Sequence, residues 1–130
     1  MTRTNHFVIK LLLAGVLPVL IMFVLSSTVK YAVAAPDMTG IYQGNDGGTY
    51  YVRQIDNTLL WLGMGPNDGY TWTNVFVGDI SGNYANGYWA DLPRGKNQNG
   101  GQMTIQILSP TSFQEVSHTG GFGGTYWNKI

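Results

Sequence analysis

From Thr39 to the C-terminus the chain repeats one unit about eight times: a short run of alternating, β-branched or aromatic residues closed by a Gly, Asn or Asp turn. That rhythm predicts strands over residues 39–43, 49–55, 58–63, 71–80, 84–92, 102–108, 112–118 and 125–129. The turns Asn45-Asp46-Gly47, Asp56-Asn57 and Ser81-Gly82-Asn83 hold residue types that accept the positive φ angles of tight hairpins. No stretch of this part keeps apolar residues at helical spacing without an intervening Gly or Pro. The expected fold is all-β: a small antiparallel up-and-down meander of about eight strands, closed as a barrel or strongly curled.

Period-two alternation assigns faces where the pattern is clean. Met103, Ile105 and Ile107 share one face, with Gln102, Thr104 and Gln106 on the other, so the first set is the expected core face. Over residues 84–92 both faces carry aromatics, Tyr84 and Tyr88 on one and Trp89 on the other, and the pattern leaves the inward face open.

The first third of the chain is a different polymer. Arg3 and Lys10 give a positive start, residues 11–25 are an apolar run, and Ala32-Val33-Ala34 is a small-x-small site. These are the parts of a secretory signal peptide over residues 1–34, forming an N-terminal hydrophobic helix, with cleavage expected after Ala34. The mature domain is then residues 35–130, exported to the periplasm or medium of a bacterium. The competing reading is an uncleaved membrane anchor over residues 11–29, opposed by Pro18 and by the polar Ser26, Ser27 and Thr28. No Cys follows the leader, which excludes a lipoprotein anchor.

Without its leader the chain is mildly acidic. Arg53, Arg94, Lys96 and Lys129 face Asp37, Asp46, Asp56, Asp68, Asp79, Asp91 and Glu115, four cations against seven carboxylates for a net charge of −3. Scattered cations on such a surface give no footprint for nucleic acid or for an anionic membrane. The chain has no cysteine, so a small exported domain must here hold its shape without disulfides.

The residues offer little to catalysis, and the chain is expected not to be an enzyme. With no Cys, and His118 the only imidazole after the leader, a nucleophile and base would need an unmarked Ser, and no nucleophile-elbow motif surrounds one. A zinc site wants about three or four ligands of His, Cys or carboxylate type, and no metal or other cofactor is expected. Asn45-Asp46-Gly47 and Asn67-Asp68-Gly69 do not continue into a calcium loop, and turn formation accounts for both. The run Gly120 to Gly124 lacks the Lys-Ser/Thr ending of a phosphate loop. Asp79, Asp91 and Glu115 lie on predicted strands, where acidic residues usually face solvent.

Several segments carry a resemblance. Gly40-Ile41-Tyr42, the stretch from Asn45 to Gln54 (NDGGTYYVRQ), Thr73-Asn74-Val75-Phe76, Trp89-Ala90-Asp91-Leu92-Pro93-Arg94-Gly95, and Thr119-Gly120-Gly121-Phe122-Gly123-Gly124 with Trp127 resemble a family of small secreted bacterial β-proteins with no assigned activity. The resemblance covers essentially the whole mature chain and implies export but no catalytic residues. More distantly, the Gly-x-aromatic opening, the meander and Lys129 near the end of the last strand resemble calycins, the lipocalin and avidin type of barrel. Tyr42 stands where lipocalins usually carry Trp.

Two functional expectations from different classes follow. The first is a non-enzymatic binding module for a small apolar or glycan ligand, with candidate contacts Tyr51, Arg53, Trp61, Trp89, Asp91 and Trp127 and with Arg53 as polar anchor. The second is a structural or interaction protein of the cell envelope, with a filled core and no small ligand. Arg53 is the only cation in the middle of a predicted strand, and Asp91 shares a face with Trp89. They form either an internal pair or two separate rim residues, and the cost of burying charge favours the rim. Most of the Trp and Tyr residues are expected in the core, with one or two exposed, Tyr70 and Trp72 foremost.

Overall fold

The computed structural model describes residues 36–130. The expected leader over residues 1–34 and the alternative anchor over residues 11–29 lie outside the described residues. The strands are β1 (Gly40–Gly44), β2 (Thr49–Ile55), β3 (Thr58–Met64), β4 (Thr73–Ser81), β5 (Tyr84–Asp91), β6 (Gly100–Ser109), β7 (Ser112–His118) and β8 (Tyr126–Lys129). They match the expected meander to within two residues at each boundary, because each is delimited by local turn chemistry rather than by distant contacts.

Each strand pairs antiparallel with its neighbour in sequence, and β1 returns to β8, closing the sheet into a barrel. Tyr42 opposes Lys129 and Gly44 opposes Trp127 across that seam. Closure leaves no unpaired strand edge, which suits a small domain that has no disulfides.

The two ends of the barrel differ. The β2–β3, β4–β5 and β6–β7 connections are two-residue turns at one end, Asp56-Asn57, Gly82-Asn83 and Pro110-Thr111. Asp56 (φ 50°) and Gly82 (φ 62°) take the left-handed conformation that such tight turns require. The other four connections, residues 45–48, 65–72, 92–99 and 119–125, are longer and gather at the opposite end. The tight-turn end is sealed by the chain entering β1: Met38 is buried, its carbonyl accepts the Tyr42 hydroxyl at 2.9 Å, and its N–H donates to Gln54 Oε1 at 3.0 Å. The Lys129 ammonium sits 5.4 Å from the Tyr42 ring centroid and covers the same end.

The interior is packed with aromatic rings. Val52, Trp61, Phe76 and Trp89 are cross-strand neighbours on β2 to β5 and all point inward. The Trp61 ring stacks on Phe76 at 4.5 Å, and Trp127 stacks on Phe113 at 4.9 Å. Met103, Ile105 and Ile107 are buried as their alternation predicts. On β5 the open question resolves in favour of Ala85 and Trp89 facing in, with Tyr84 and Tyr88 outside. More aromatics are exposed than expected: Tyr70 is exposed, but so are Tyr51, Tyr84, Tyr88 and Tyr126, while Trp72 is half-buried against the core. A small barrel runs out of interior volume, and every second strand position must face water whatever its chemistry.

Room for the rings comes partly from glycine. Gly78 opposes Gly87 in register, and a Cβ on Gly87 would overlap the Val77 carbonyl oxygen and the Gly78 Cα. Gly87→Ala is therefore expected to cost about 1–3 kcal/mol or more in stability, read as a lowered melting temperature by circular dichroism. Gly123→Ala, whose methyl would meet nothing within 4 Å, should melt like the parent. Equal melting of the two variants would contradict the close approach of β4 and β5.

Candidate functional site

The four longer connections enclose a cleft of about 130 Å³ at their end of the barrel. Each contributes to it: Asp46 from the β1–β2 connection, Trp72 from β3–β4, Asn97 from β5–β6, and Gly121, Phe122 and Gly123 from β7–β8, while Asn74, Trp89 and Asp91 come from the adjoining strand ends. Two other grooves, of about 340 and 330 Å³, lie on the outer wall and are open along their length. The smaller cleft is the better candidate, because there aromatic faces and hydrogen-bonding groups converge from several elements on one enclosed volume.

Its rim is tied together across the connections. Asn45 Oδ1 accepts the N–H groups of Thr125 (2.9 Å) and Tyr126 (3.2 Å), and its Nδ2 donates to Thr125 Oγ1 at 2.7 Å. Arg94 donates from Nη2 to the Asp68 carboxylate at 2.9 Å and from Nε to the Asp68 carbonyl at 3.0 Å, and lies over the Tyr70 ring. Asp68 (φ 59°) and Gly69 (φ 78°) supply the left-handed turn that brings this connection across to Arg94. Trp72 lies over Gly48, where a side chain would collide with the indole, and packs tightly on Gly65. Phe122 enters from the last connection and packs edge-on against Trp89 at 4.9 Å, closing the barrel above Trp61 and Trp127.

The polar groups of the cleft are held from below. Trp61 Nε1 donates to Asn74 Oδ1 at 2.9 Å, and Trp89 Nε1 donates to the Thr119 carbonyl at 2.9 Å. The Tyr50 hydroxyl donates to Asp46 Oδ2 at 2.5 Å, while Asp46 Oδ1 accepts the Gly48 N–H at 3.0 Å. Asp91 Oδ2 accepts the Asn99 N–H at 2.9 Å. Trp127 Nε1 is buried beside the Tyr50 hydroxyl without meeting hydrogen-bond geometry. Burial and the adjacent Asp46 carboxylate push the Tyr50 hydroxyl well above its ordinary range. Burial, with a smaller contribution from Asp37, pushes Tyr42 up to about 12.

Of the six candidate residues, Trp89 and Asp91 line the cleft, and Trp61 and Trp127 form the packed floor beneath it. Tyr51 and Arg53 do not belong to it. Both point outward from β2, Arg53 opposite Leu60 in register, and Tyr51 lines one of the outer grooves with Pro66 and Asp68. Arg53 and Asp91 are therefore separate, as the cost of burying charge favoured, and Arg53 is not the polar anchor of the cleft: the parity of β2, set by the inward Tyr50 and Val52, turns it to solvent. Of the three strand carboxylates only Asp91 reaches the cleft; Asp79 is exposed and Glu115 contacts His118 Nδ1 at 2.7 Å. Among the described residues no three His, Asp or Glu side chains gather as a metal site. Asp46, Trp72, Asn74, Asn97 and Phe122 were not singled out as site residues from sequence. The available signal was turn parity: in a meander, every second connection lies at the same end, and these are the longer, Gly- and Asn-rich ones. No protein-family model, curated protein or solved structure matches the chain.

Two predictions follow from this geometry. Asn74→Leu leaves the buried Trp61 indole N–H unpaired and should cost about 1–3 kcal/mol in denaturant unfolding; unchanged stability would show that Asn74 does not carry that bond. Below pH about 10 both folded and unfolded tyrosines keep their protons. Above it the unfolded chain releases protons that Tyr42 and Tyr50 retain, so stability should fall as pH rises from about 10 through about 12. Tyr42→Phe should flatten that fall in melting temperature; an unaltered slope would contradict the assignment.

Proposed function

We propose that the protein is an exported, non-enzymatic binding module that seats a single sugar residue in the cleft at its loop-bearing end. The observation that carries this reading is the cleft's lining: the aromatic side chains Trp72, Trp89 and Phe122 beside the carboxylates of Asp46 and Asp91 and the amides of Asn74 and Asn97. A pyranose presents apolar C–H faces and a ring of hydroxyls, and this combination offers stacking to the first and acceptors and donors to the second. The volume limits the ligand. At about 130 Å³ the cleft is well below the roughly 300 Å³ of an ordinary small-molecule site, so it has room for one terminal residue of a larger glycan. The packed core argues against a ligand held deep inside the barrel.

A second reading, an envelope interaction protein with no small ligand, is supported by the outer wall. Ile41, Tyr51, Leu62, Val75 and Ala90 stand side by side in register across β1 to β5, with Leu60, Val77 and Tyr88 in the next row. An apolar band of that extent is unusual on a monomer.

One titration separates the two. All four tryptophans line the cleft or form the core beneath and beside it, so their indole N–H signals in a heteronuclear NMR spectrum report on it. Methyl hexosides should shift the Trp72 and Trp89 signals saturably, and Trp72→Ala should abolish the effect. The absence of a saturable shift with any sugar would overturn the binding module and favour the interaction protein.

A further inference from the structure

Resting on that reading, we propose that the cleft selects a sugar carrying a free ammonium group, a deacetylated amino sugar, over its neutral and N-acetylated counterparts. The cleft has two carboxylates and no cation paired with either. The ion pairs among the described residues are Arg94 with Asp68 and His118 with Glu115. Arg94 is engaged by Asp68 and Tyr70, Lys129 covers Tyr42 at the opposite end, and Arg53 faces out from β2. Lys96 is exposed on the rim connection and forms no ion pair with Asp46 or Asp91.

Both carboxylates keep acceptor capacity. An ionised carboxylate has about four lone-pair sites; Asp91 spends one on the Asn99 N–H, and Asp46 spends one on Gly48 and one on Tyr50. The walls are Trp72, Trp89 and Phe122, whose ring faces attract cations as well as apolar surface. In a recess with low-dielectric walls, charge of one sign is focused rather than dispersed.

A separate observation points to the rest of the ligand. Asn74 is 4% exposed and lines the cleft, its Oδ1 is held by Trp61, and its amide also neighbours the Tyr50 hydroxyl. An amide and a tyrosine hydroxyl held together at the edge of a cleft suit a ligand oxygen, such as a sugar hydroxyl, beside the ammonium. An N-acetyl group would remove the positive charge and add bulk in about 130 Å³.

The test is an NMR titration of the whole protein with the methyl glycosides of glucosamine, glucose and N-acetylglucosamine, at low and at high salt. The glucosamine glycoside should bind about tenfold more tightly than the other two, the gain expected from one added charge contact. That advantage should vanish near 1 M salt, where the screening length falls to about 3 Å, and in Asp91→Asn, whose amide oxygen still accepts the Asn99 N–H. Equal affinities for the three glycosides, or a salt-independent preference, would overturn this inference while leaving the sugar-binding reading intact. Binding by none of them would overturn both. The salt dependence of the parent protein decides the matter even if the variant fails to fold.

Discussion

The Trp61 indole is the contact on which the rest of the barrel is arranged. Its ring stacks on Phe76 at 4.5 Å, meets Trp127 at 5.5 Å and Phe113 at 5.9 Å, and receives the edge-to-face approach of Tyr50 at 5.5 Å. These partners come from β2, β4, β7 and β8, so one side chain links both halves of the sheet across the interior. Its only polar atom is satisfied by Asn74, which lets an indole be fully buried without a desolvation cost. A chain of this size without disulfides needs such a core, because closing the sheet by hydrogen bonds alone leaves little net stability.

That packing has a direct consequence for chemistry. Rings pack the interior of the barrel, and the cleft lies at the end where the longer connections meet. The opposite end is closed by two-residue turns, by Met38 and by Lys129 over Tyr42. The same aromatic set then serves twice: Trp89 and Phe122 cap the core on one side and wall the cleft on the other. Two polar groups of the cleft are positioned from below, because they are bonded to residues that the core already holds in place. Asp46 is fixed by Tyr50 and Gly48, and Asn74 by Trp61.

The connections around the cleft are held by contacts of long sequence separation. Asn45 bonds Thr125 and Tyr126 across the β1–β8 seam, and Arg94 bonds Asp68 across β4 and β5. These bonds are exposed and individually weak, but they join neighbouring connections and so set the shape of the rim. Gly48 and Gly65 have a packing role rather than a conformational one: they let Trp72 pack against the backbone.

By itself the sequence determined the strand boundaries, the antiparallel order and the core face of β6, because alternation and turn residues act over a few positions and need no distant partner. It also determined what chemistry is scarce: no cysteine, one histidine after residue 34, and scattered charge. The inward or outward phase of β2 and β5 was not legible, since both of their faces carry aromatic residues. Closure decided it, turning Tyr50 and Val52 inward and Tyr51 and Arg53 to solvent. Only the tertiary structure gathered Asp46, Trp72, Asn74, Asn97 and Phe122 beside Trp89 and Asp91, because these residues are up to 76 positions apart, and their meeting depends on how β1 finds β8. A local pattern can specify a strand, but a site built from four connections exists only once the sheet has closed.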